Sequence, residues 1–327
     1  ETLLMNLTRG TSLRGLGGMS VMREGIFRPL LAISKAEILD HCVQEGLSFV
    51  TDPSNLDLTS VRARLRCKVF PELAAINTQA LQSFGRTASL IQEEDKFLNG
   101  MAAAALERAE IPLNGSLKFL TLDCEAAFDA GALFQLPRVL LARALRLAIE
   151  AVGGTLDFWQ LETAVEGIES QQPGSVTSDE GRATLTWNQD RVHASQIQPV
   201  EPFRTLLTLP GETESVEFGW NLTAQNAPPS WLPSDNDARL HARLDRGSIQ
   251  GQLFLRTLQL GDRMTPLGMT GSKLLSDVVS DMKLTRAAKA RLPIICDFLG
   301  PVWVPGGPIA ERTKVTDQSE SLIVLTF

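Results

Sequence analysis

The sequence contains no pair of cysteines spaced as CxxC, and its four cysteines are far apart: Cys42, Cys67, Cys124 and Cys296. This spacing disfavours a zinc site or a disulfide framework and indicates the reduced thiols of a cytoplasmic protein. No apolar run approaches the roughly 18 residues that a membrane-spanning helix needs. No charged-then-apolar signal segment follows Glu1. These absences disfavour a membrane protein and a disulfide-stapled secreted protein.

The composition that remains is that of a globular protein with a strong local charge contrast. The 327 residues are 43% hydrophobic and 21% charged, with a net charge of -7, which fits two or three globular domains. Against this negative background, residues 256–292 hold seven Lys or Arg and three Asp. Local positive charge on an acidic chain indicates a polyanionic partner. The alternative is a solvated basic helix on a small α+β domain.

Glycines punctuate this basic segment and predict turns near Gly261, Gly268 and Gly271. Apolar residues then recur at helical spacing from position 274, so Ser272 is the predicted N-cap of a helix. A helix start presents backbone N–H groups to an anion. With Lys273 beside it, this start is a candidate phosphate site.

The first 74 residues show an incomplete α/β pattern. A short strand is predicted over residues 25–31, and Ser34 with Glu37 forms the capping box of a helix over 35–45. One such unit cannot make a doubly wound domain, so the chain is expected to begin in mid-domain. A turn over 51–57 precedes four cations: Arg62, Arg64, Arg66 and Lys68. They suit phosphate binding, or form a solvent face paired with nearby acids.

The rest of the chain divides by pattern. Helices are predicted over residues 77–108, 138–152 and 158–170, followed by a hairpin over 174–193. Strands are predicted over 201–229, 292–297, 301–306 and 322–327, with a polar linker at 230–237. The predicted domains are residues 1–74, 75–200 and 201–327.

Several stretches resemble one enzyme family, the tRNA(Ile)-lysidine synthetases. DPSNLDLTSVRARLRCKVFPEL is similar to the segment that closes the family's ATPase domain, and ETLLMNLTRGTSLRGLGGM to the helix and loop after its HxADDQ stretch. RTLQLGDRMTPLGMTGSKLLSD, RLPIICD, VWVPG and IAER follow in the order of its C-terminal domain. Two positions depart from the family: Ala63 stands where Asn is usual, and Cys67 where His is common.

The resemblance implies an α/β and α+β multidomain fold. Residues 1–74 would be the C-terminal portion of a PP-loop (adenine nucleotide alpha hydrolase-like) α/β domain. Residues 75–200 would be a helical tRNA-binding domain, and 201–327 a small α+β tRNA-binding domain. The implied reaction adenylylates the C2 oxygen of the wobble cytidine of tRNA(Ile) with ATP and Mg²⁺, after which the amine of L-lysine displaces AMP. A cytoplasmic enzyme is expected, and a homodimer is one expected assembly.

The resemblance also implies site residues by matched position. Those expected to act near the reacting nucleotide are Arg62, Arg64 and Arg66. Those expected to form the ATP or tRNA loop are Asp52, Asn55, Asp57 and Arg28. Those expected to hold the tRNA backbone at the acceptor end are Arg263, Lys273, Lys283 and Arg286. No residue is assigned to a metal.

Two alternatives remain from the sequence. A related tRNA-thiolating PP-loop enzyme shares the ATPase fold but usually needs paired cysteines. A catalytically silent tRNA-binding protein keeps the basic C-terminal domain and lacks the ATP loop. No SGGxDS sequence occurs in the 327 residues, so this chain alone is expected to be a fragment that makes no lysidine. An SGGxDS loop upstream of Glu1 would support the ligase.

Overall fold

The chain folds into two compact units, residues 1–101 (unit 1) and 102–327 (unit 2). The computed structural model describes residues 1–23, 25–50, 57–178, 181–196, 201–215, 220–231 and 238–327. The boundary between the units falls within one long helix, Ala80–Ala109 (α6). The division at residues 74 and 200 stays a prediction.

Unit 1 is built from short helices and one two-stranded ribbon. Its elements before α6 are α1 (Thr2–Arg9), α2 (Leu13–Leu16), β1 (Met22–Arg23), β2 (Ile26–Phe27), α3 (Lys35–Gln44), α4 (Val61–Arg64), a π-helical turn (Leu65–Val69) and α5 (Phe70–Ile76). The predicted capping box is confirmed: the Ser34 hydroxyl accepts from the Glu37 N–H at 3.2 Å, and the Glu37 carboxylate accepts from the Ser34 N–H at 2.8 Å. The strand predicted over 25–31 is wrong beyond Phe27, since Pro29 lacks a donor and a turn begins there.

The first part of unit 2 combines helices with a four-stranded antiparallel sheet in the order β3-β6-β5-β4. Its elements are β3 (Glu125–Asp129), α7 (Ala130–Phe134), α8 (Arg138–Ala151), α9 (Phe158–Glu169), β4 (Gly174–Thr177), β5 (Ala183–Trp187) and β6 (Arg191–Gln196). The predicted helices near 138–152 and 158–170 and the hairpin are confirmed. Strand β3 escaped prediction, because its five residues pair with β6 about 65 positions later along the chain.

The second part of unit 2 contains two more antiparallel sheets, ordered β10-β16-β9-β8 and β15-β14-β11-β7. Their strands are β7 (Arg204–Leu206), β8 (Gly211–Ser215), β9 (Trp220–Ala227), β10 (His241–Asp245), β11 (Phe254–Arg256), β14 (Ile294–Asp297), β15 (Gly300–Trp303) and β16 (Leu322–Thr326). Between β11 and β14 lie a ribbon of β12 (Arg263–Met264) and β13 (Lys273–Leu274), then α10 (Leu275–Asp281) and α11 (Arg286–Arg291).

A 3-10 helix at Gly115–Leu120 belongs to the core of this second part, although it precedes β3 in the chain. Its Leu117 and Leu120 are buried in one cluster with Leu255, Ile295 and other side chains of the two sheets. Gly306 marks how close the approach is: its φ is 76°, and a Cβ added to it would lie 2.8 Å from Leu117 Cδ1. A glycine is therefore required there.

A buried carboxylate ties the end of β14 to the chain beyond β15. The Asp297 side chain is fully buried and accepts two bonds from Arg312, at 2.6 and 2.8 Å. It also accepts from the N–H groups of Gln250 and Leu299, both at 2.9 Å. Burial alone would raise the pKa of Asp297, but the Arg312 and N–H bonds together outweigh it and lower this pKa.

We expect Asp297→Asn to flatten the acid side of the stability curve. Because the folded pKa is lowered, the charge of Asp297 stabilises the fold above the unfolded pKa of about 3.9. That contribution is lost as the pH falls from about 4 through the folded pKa. Urea unfolding at pH 7, 5, 4 and 3 measures it, with the exposed Asp317→Asn as control. If the free energy of unfolding falls by the same amount between pH 5 and pH 3 in Asp297→Asn and in the unsubstituted protein, the Asp297 carboxylate does not stabilise the fold.

Candidate functional site

The arginines of unit 1 lie on the helical stretch that follows the turn over 51–57. Arg62, Arg64 and Arg66 are exposed, whereas Ala63 and Leu65 are buried. Arg66 donates from Nε and Nη2 to the Glu1 carboxylate, the Nη2–Oε2 distance being 3.1 Å. Burial raises the pKa of Glu1, but the Arg66 bonds lower it below its ordinary value. One cation of the three is therefore already partnered by an acid.

The residue at position 63 fills a buried site. Ala63 is only 3% exposed, so an asparagine here would carry its amide into a packed environment. A buried amide needs hydrogen-bond partners to avoid a desolvation cost. Alanine avoids that requirement, and the substitution relative to the family pattern is compatible with this helix.

Of the residues assigned to the loop over 51–57, the structure describes only Asp57. Asp57 accepts from the Thr59 N–H at 2.9 Å and from its hydroxyl at 2.8 Å. These bonds lower the pKa of Asp57, the Thr59 N–H contributing most, and they order the turn that leads into α4. Asp52 and Asn55 lie outside the described residues.

Arg28 lines a cavity of about 420 Å³ whose walls come from α1, from α2 and from residues 18–20, which follow α2. Its lining includes Thr11, Ser12, Arg14, Gly15, Ser20 and Arg28. Arg28 Nη1 donates to the Ser20 carbonyl at 3.4 Å, and Asn6 Nδ2 donates to the Gly15 carbonyl at 2.7 Å. The arginines of the α4 helix are not among the lining residues.

The cavity has the donors that a phosphate needs, namely hydroxyls, guanidinium groups and glycine backbone. Its described lining contains no carboxylate. Across the described parts of the chain, no three His, Cys, Asp or Glu side chains group in a way that could hold a metal ion.

In unit 2, two cations of the basic segment hold the fold. Arg256 makes a two-pronged ion pair with Asp262, both bonds at 2.7 Å, and each side chain is only 11% exposed. Arg291 is buried and donates to Asp123 and, at 3.1 Å, to the Leu120 carbonyl. Neither guanidinium is available to a ligand. The count of seven cations overstates the charge that this segment presents to a partner.

The predicted helix start at Ser272 is wrong. Lys273 and Leu274 form β13, which pairs with β12, so the helix begins later, with Leu274 as its N-cap. The Ser272 side chain instead accepts from Arg263 Nε at 3.0 Å. Lys273 pairs with Asp281 at 2.5 Å. Arg263 and Lys273 thus lie on paired strands but not opposite each other, and each already has a partner.

Three other cations form the part of the segment that faces solvent. Lys283 and Arg286 are exposed and Lys289 is half-buried; we name these three residues the basic cluster. None of them makes an ion pair with a residue that the structure describes. Arg286 and Lys289 are three apart on α11, so they are neighbours on one helix face.

Lys283 adopts an unusual backbone conformation between α10 and α11, with φ at 55°. A non-glycine residue in the left-handed region is uncommon and costs about 1–2 kcal/mol. Lys283 directly follows the C-cap residue of α10, and its N–H donates to the Ser280 carbonyl at 3.1 Å, so this conformation ends the helix. Lys283 was assigned to tRNA binding from the sequence, but nothing in the sequence indicated its left-handed backbone. Lys289 was not among the assigned site residues.

A last structural observation concerns membranes. Within the residues that the structure covers, none of the helices combines the length and apolarity needed to cross a bilayer.

Comparison with known proteins matches both ends of the chain. A family model described as "PP-loop domain" matches residues 1–73, and one described as "TilS substrate C-terminal domain" matches residues 253–325. A tRNA(Ile)-lysidine synthase of Symbiobacterium thermophilum is 33% identical, over 94% of this chain and 66% of its own length. One of Caldanaerobacter subterraneus subsp. tengcongensis is 25% identical, over 100% of this chain and 69% of its own.

A solved structure, the crystal structure of TILS C-terminal domain, is 24% identical with a TM-score of 0.35. It matches 38% of this chain and 95% of its own. The chain spans about two thirds of the length of the curated relatives above.

Proposed function

Because the chain belongs to the tRNA(Ile)-lysidine synthase family, we propose that it serves ATP-dependent ligation of L-lysine to C2 of the wobble cytidine in tRNA(Ile). In this proposal unit 2 holds the tRNA backbone. The observation that carries it is the basic cluster, three cations without ion-pair partners among the described residues of a protein with net charge -7. Cations on an acidic chain that are left unneutralised by the fold favour a polyanion.

The nucleotide would use unit 1. ATP, when bound with Mg²⁺, supplies the adenylyl group that activates the cytidine. The Thr11 and Ser12 hydroxyls and the Arg28 guanidinium line a cavity that suits its phosphates. Arg62 and Arg64 would offset the negative charge of phosphate groups near the reacting centre, as preorganised cations do in acyl and phosphoryl transfer. Asp52, Asn55 and Asp57 would order the preceding loop.

The cations of unit 2 proposed to contact tRNA differ in how far the fold already neutralises or holds them. Lys283 and Arg286 keep their full charge for phosphates, whereas Asp281 already neutralises Lys273 and Ser272 holds Arg263. Contacts to phosphate fix the position of an RNA but do not read its sequence. We therefore propose that unit 2 positions the acceptor end and that discrimination at the anticodon lies elsewhere. A homodimer stays within the proposal.

Two of the four thiols are unsuited to the tRNA-thiolating alternative, whereas Cys42 is half-buried and Cys67 is exposed. Burial raises the pKa of the Cys124 thiol to about 12 and that of the Cys296 thiol to about 11. A buried thiol with so high a pKa is a poor nucleophile at neutral pH. The silent RNA-binding alternative shares the same basic cluster, and AMP release from ATP in the presence of lysine and tRNA(Ile) separates it from the ligase.

We expect Lys283→Gly to weaken tRNA binding without destabilising the fold. Glycine relieves the left-handed backbone, so the free energy of unfolding should stay unchanged or rise by up to about 1 kcal/mol. Loss of the ammonium group should weaken the binding of unmodified tRNA(Ile) several-fold and lower the salt slope by about one. Anisotropy titrations and urea unfolding of the same preparations measure both quantities.

Lys283→Ala is the matched control, because it removes the same charge and keeps the backbone strain. It should bind tRNA as weakly as the glycine variant and be less stable. If Lys283→Gly binds tRNA with unchanged affinity and salt slope, Lys283 is not a phosphate contact and the RNA-binding proposal loses the residue on which it most depends.

A further inference from the structure

The basic cluster does not lie on an isolated helix, since α11 packs against the 3-10 helix Gly115–Leu120 of unit 2. About 170 residues separate the two elements in sequence, yet two polar connections join them, and a third joins α11 to Glu125 of β3. The Thr285 N–H donates to Asn114 Oδ1 at 2.9 Å. The Thr285 hydroxyl donates to Glu125 Oε2 at 2.6 Å. Arg291 donates to the Leu120 carbonyl at 3.1 Å.

These connections fix both ends of α11. Thr285 is the N-cap of α11, and its hydroxyl also accepts from the Ala288 N–H at 3.2 Å. Arg291 is the last residue of the same helix. The Glu125 side chain is only 4% exposed, and His193 Nε2 lies 3.6 Å from its other oxygen. A helix held at its N-cap and its last residue has little freedom to shift relative to the 3-10 helix.

The 3-10 helix carries an exposed cation of its own, Lys118. Lys118 makes no ion pair with any residue in the described ranges. The acids that contact α11 are engaged: Asp123 pairs with Arg291, and Glu125 is buried against Thr285. The charge of Lys118 is therefore unneutralised on an element joined to α11.

We propose that the RNA-binding surface of the basic cluster continues onto the 3-10 helix, where Lys118 supplies a further phosphate contact and Glu125 acts as a positioning residue for both elements. This inference rests on the proposed function, since it extends the same surface. It names two individual residues, one as a phosphate contact and one as a positioning residue, in a part of the chain that lies outside residues 253–325. The ligand is the phosphate backbone of a structured RNA.

The first test compares Lys118→Ala, Lys118→Arg and Lys314→Ala in titrations of unmodified tRNA(Ile) at several KCl concentrations. Lys118→Ala should weaken binding several-fold and lower the salt slope by about 0.7 to 0.9. Lys118→Arg keeps the charge and should bind like the unsubstituted protein. Lys314, an exposed lysine paired locally with Glu311, is the control and should change neither quantity.

The positioning role is tested with Glu125→Gln and Glu125→Ala. Glutamine keeps an oxygen that accepts from Thr285 and should preserve tRNA binding. Alanine should weaken tRNA binding several-fold at temperatures at which the variant is still folded. Glu125→Ala should have little further effect when Lys283 and Arg286 are already alanine, because it acts through them. If alanine and glutamine bind tRNA alike, or if the Glu125→Ala effect persists without the cluster, Glu125 does not position it.

The outcomes separate this inference from the proposed function. If Lys283→Ala weakens binding and Lys118→Ala does not, the surface stops at α11 and the inference is overturned while the proposed function stands. If neither substitution changes the affinity or the salt slope, both fail.

Discussion

Replacing Lys283, Arg286 and Lys289 together by alanine is expected to lower the affinity for tRNA by about two orders of magnitude at 0.15 M salt. Each phosphate contact releases about 0.7 to 0.9 counterions, which corresponds to roughly a four- to fivefold gain in affinity at that salt concentration. Three such contacts multiply to the stated loss. The three side chains make no ion pair with a described residue, so their removal should leave the fold intact.

A control of equal charge distinguishes the basic cluster from the net charge of the protein. Arg108, Arg191 and Lys314 are exposed cations elsewhere in unit 2. Their joint replacement by alanine makes the chain more negative by the same three charges. We expect at most a small loss of affinity from this control. Equal losses from the two triple variants would show that only the overall charge matters.

The second large effect concerns stability. Arg256→Ala is expected to lower the free energy of unfolding of unit 2 by about 3 kcal/mol, because it leaves the Asp262 carboxylate without its partner in a site where both side chains are 11% exposed. The pair raises the pKa of Arg256, chiefly through its bond to Asp262. Urea unfolding followed by tryptophan fluorescence measures the loss.

Arg263→Ala provides the comparison within the same segment. Arg263 is exposed and bonds only to Ser272 among the described residues, so its loss should change the free energy of unfolding by within about 0.5 kcal/mol. The folded fraction of Arg256→Ala should keep the salt slope of the unsubstituted protein. If Arg256→Ala keeps the free energy of unfolding of the unsubstituted protein but binds tRNA more weakly, Arg256 contacts the RNA and does not stabilise the fold.

Local signals in the sequence predicted the elements that local chemistry determines. The Ser34 and Glu37 capping box and helices α8 and α9 follow from caps and apolar spacing. Ser272 failed as an N-cap because Lys273 and Leu274 pair with β12, a contact between residues about ten positions apart that outweighs the local preference. The prediction of two joined strands over 292–306 succeeded, since a short turn brings β14 and β15 together.

The candidate site was harder to predict than the fold, because the role of a cation depends on its partners. Local charge alone does not distinguish Arg256 from Arg286, yet Asp262 neutralises the former and no described acid neutralises the latter. Lys118 has no neighbouring motif, and its connection to α11 runs through a hydrogen bond between residues 114 and 285. No periodicity or spacing reports a contact over that separation.

The cations that lack an ion-pair partner among the described residues are expected to bind tRNA phosphates. The most direct test is the salt dependence of unmodified tRNA(Ile) binding by this chain, from 50 to 300 mM KCl. With Lys118, Lys283, Arg286 and Lys289 each at a phosphate, these four residues should contribute about -3 to the log–log slope. In the variant with all four residues replaced by alanine, the slope should be less negative by that amount. A slope that is the same in both proteins would contradict the role of these four cations.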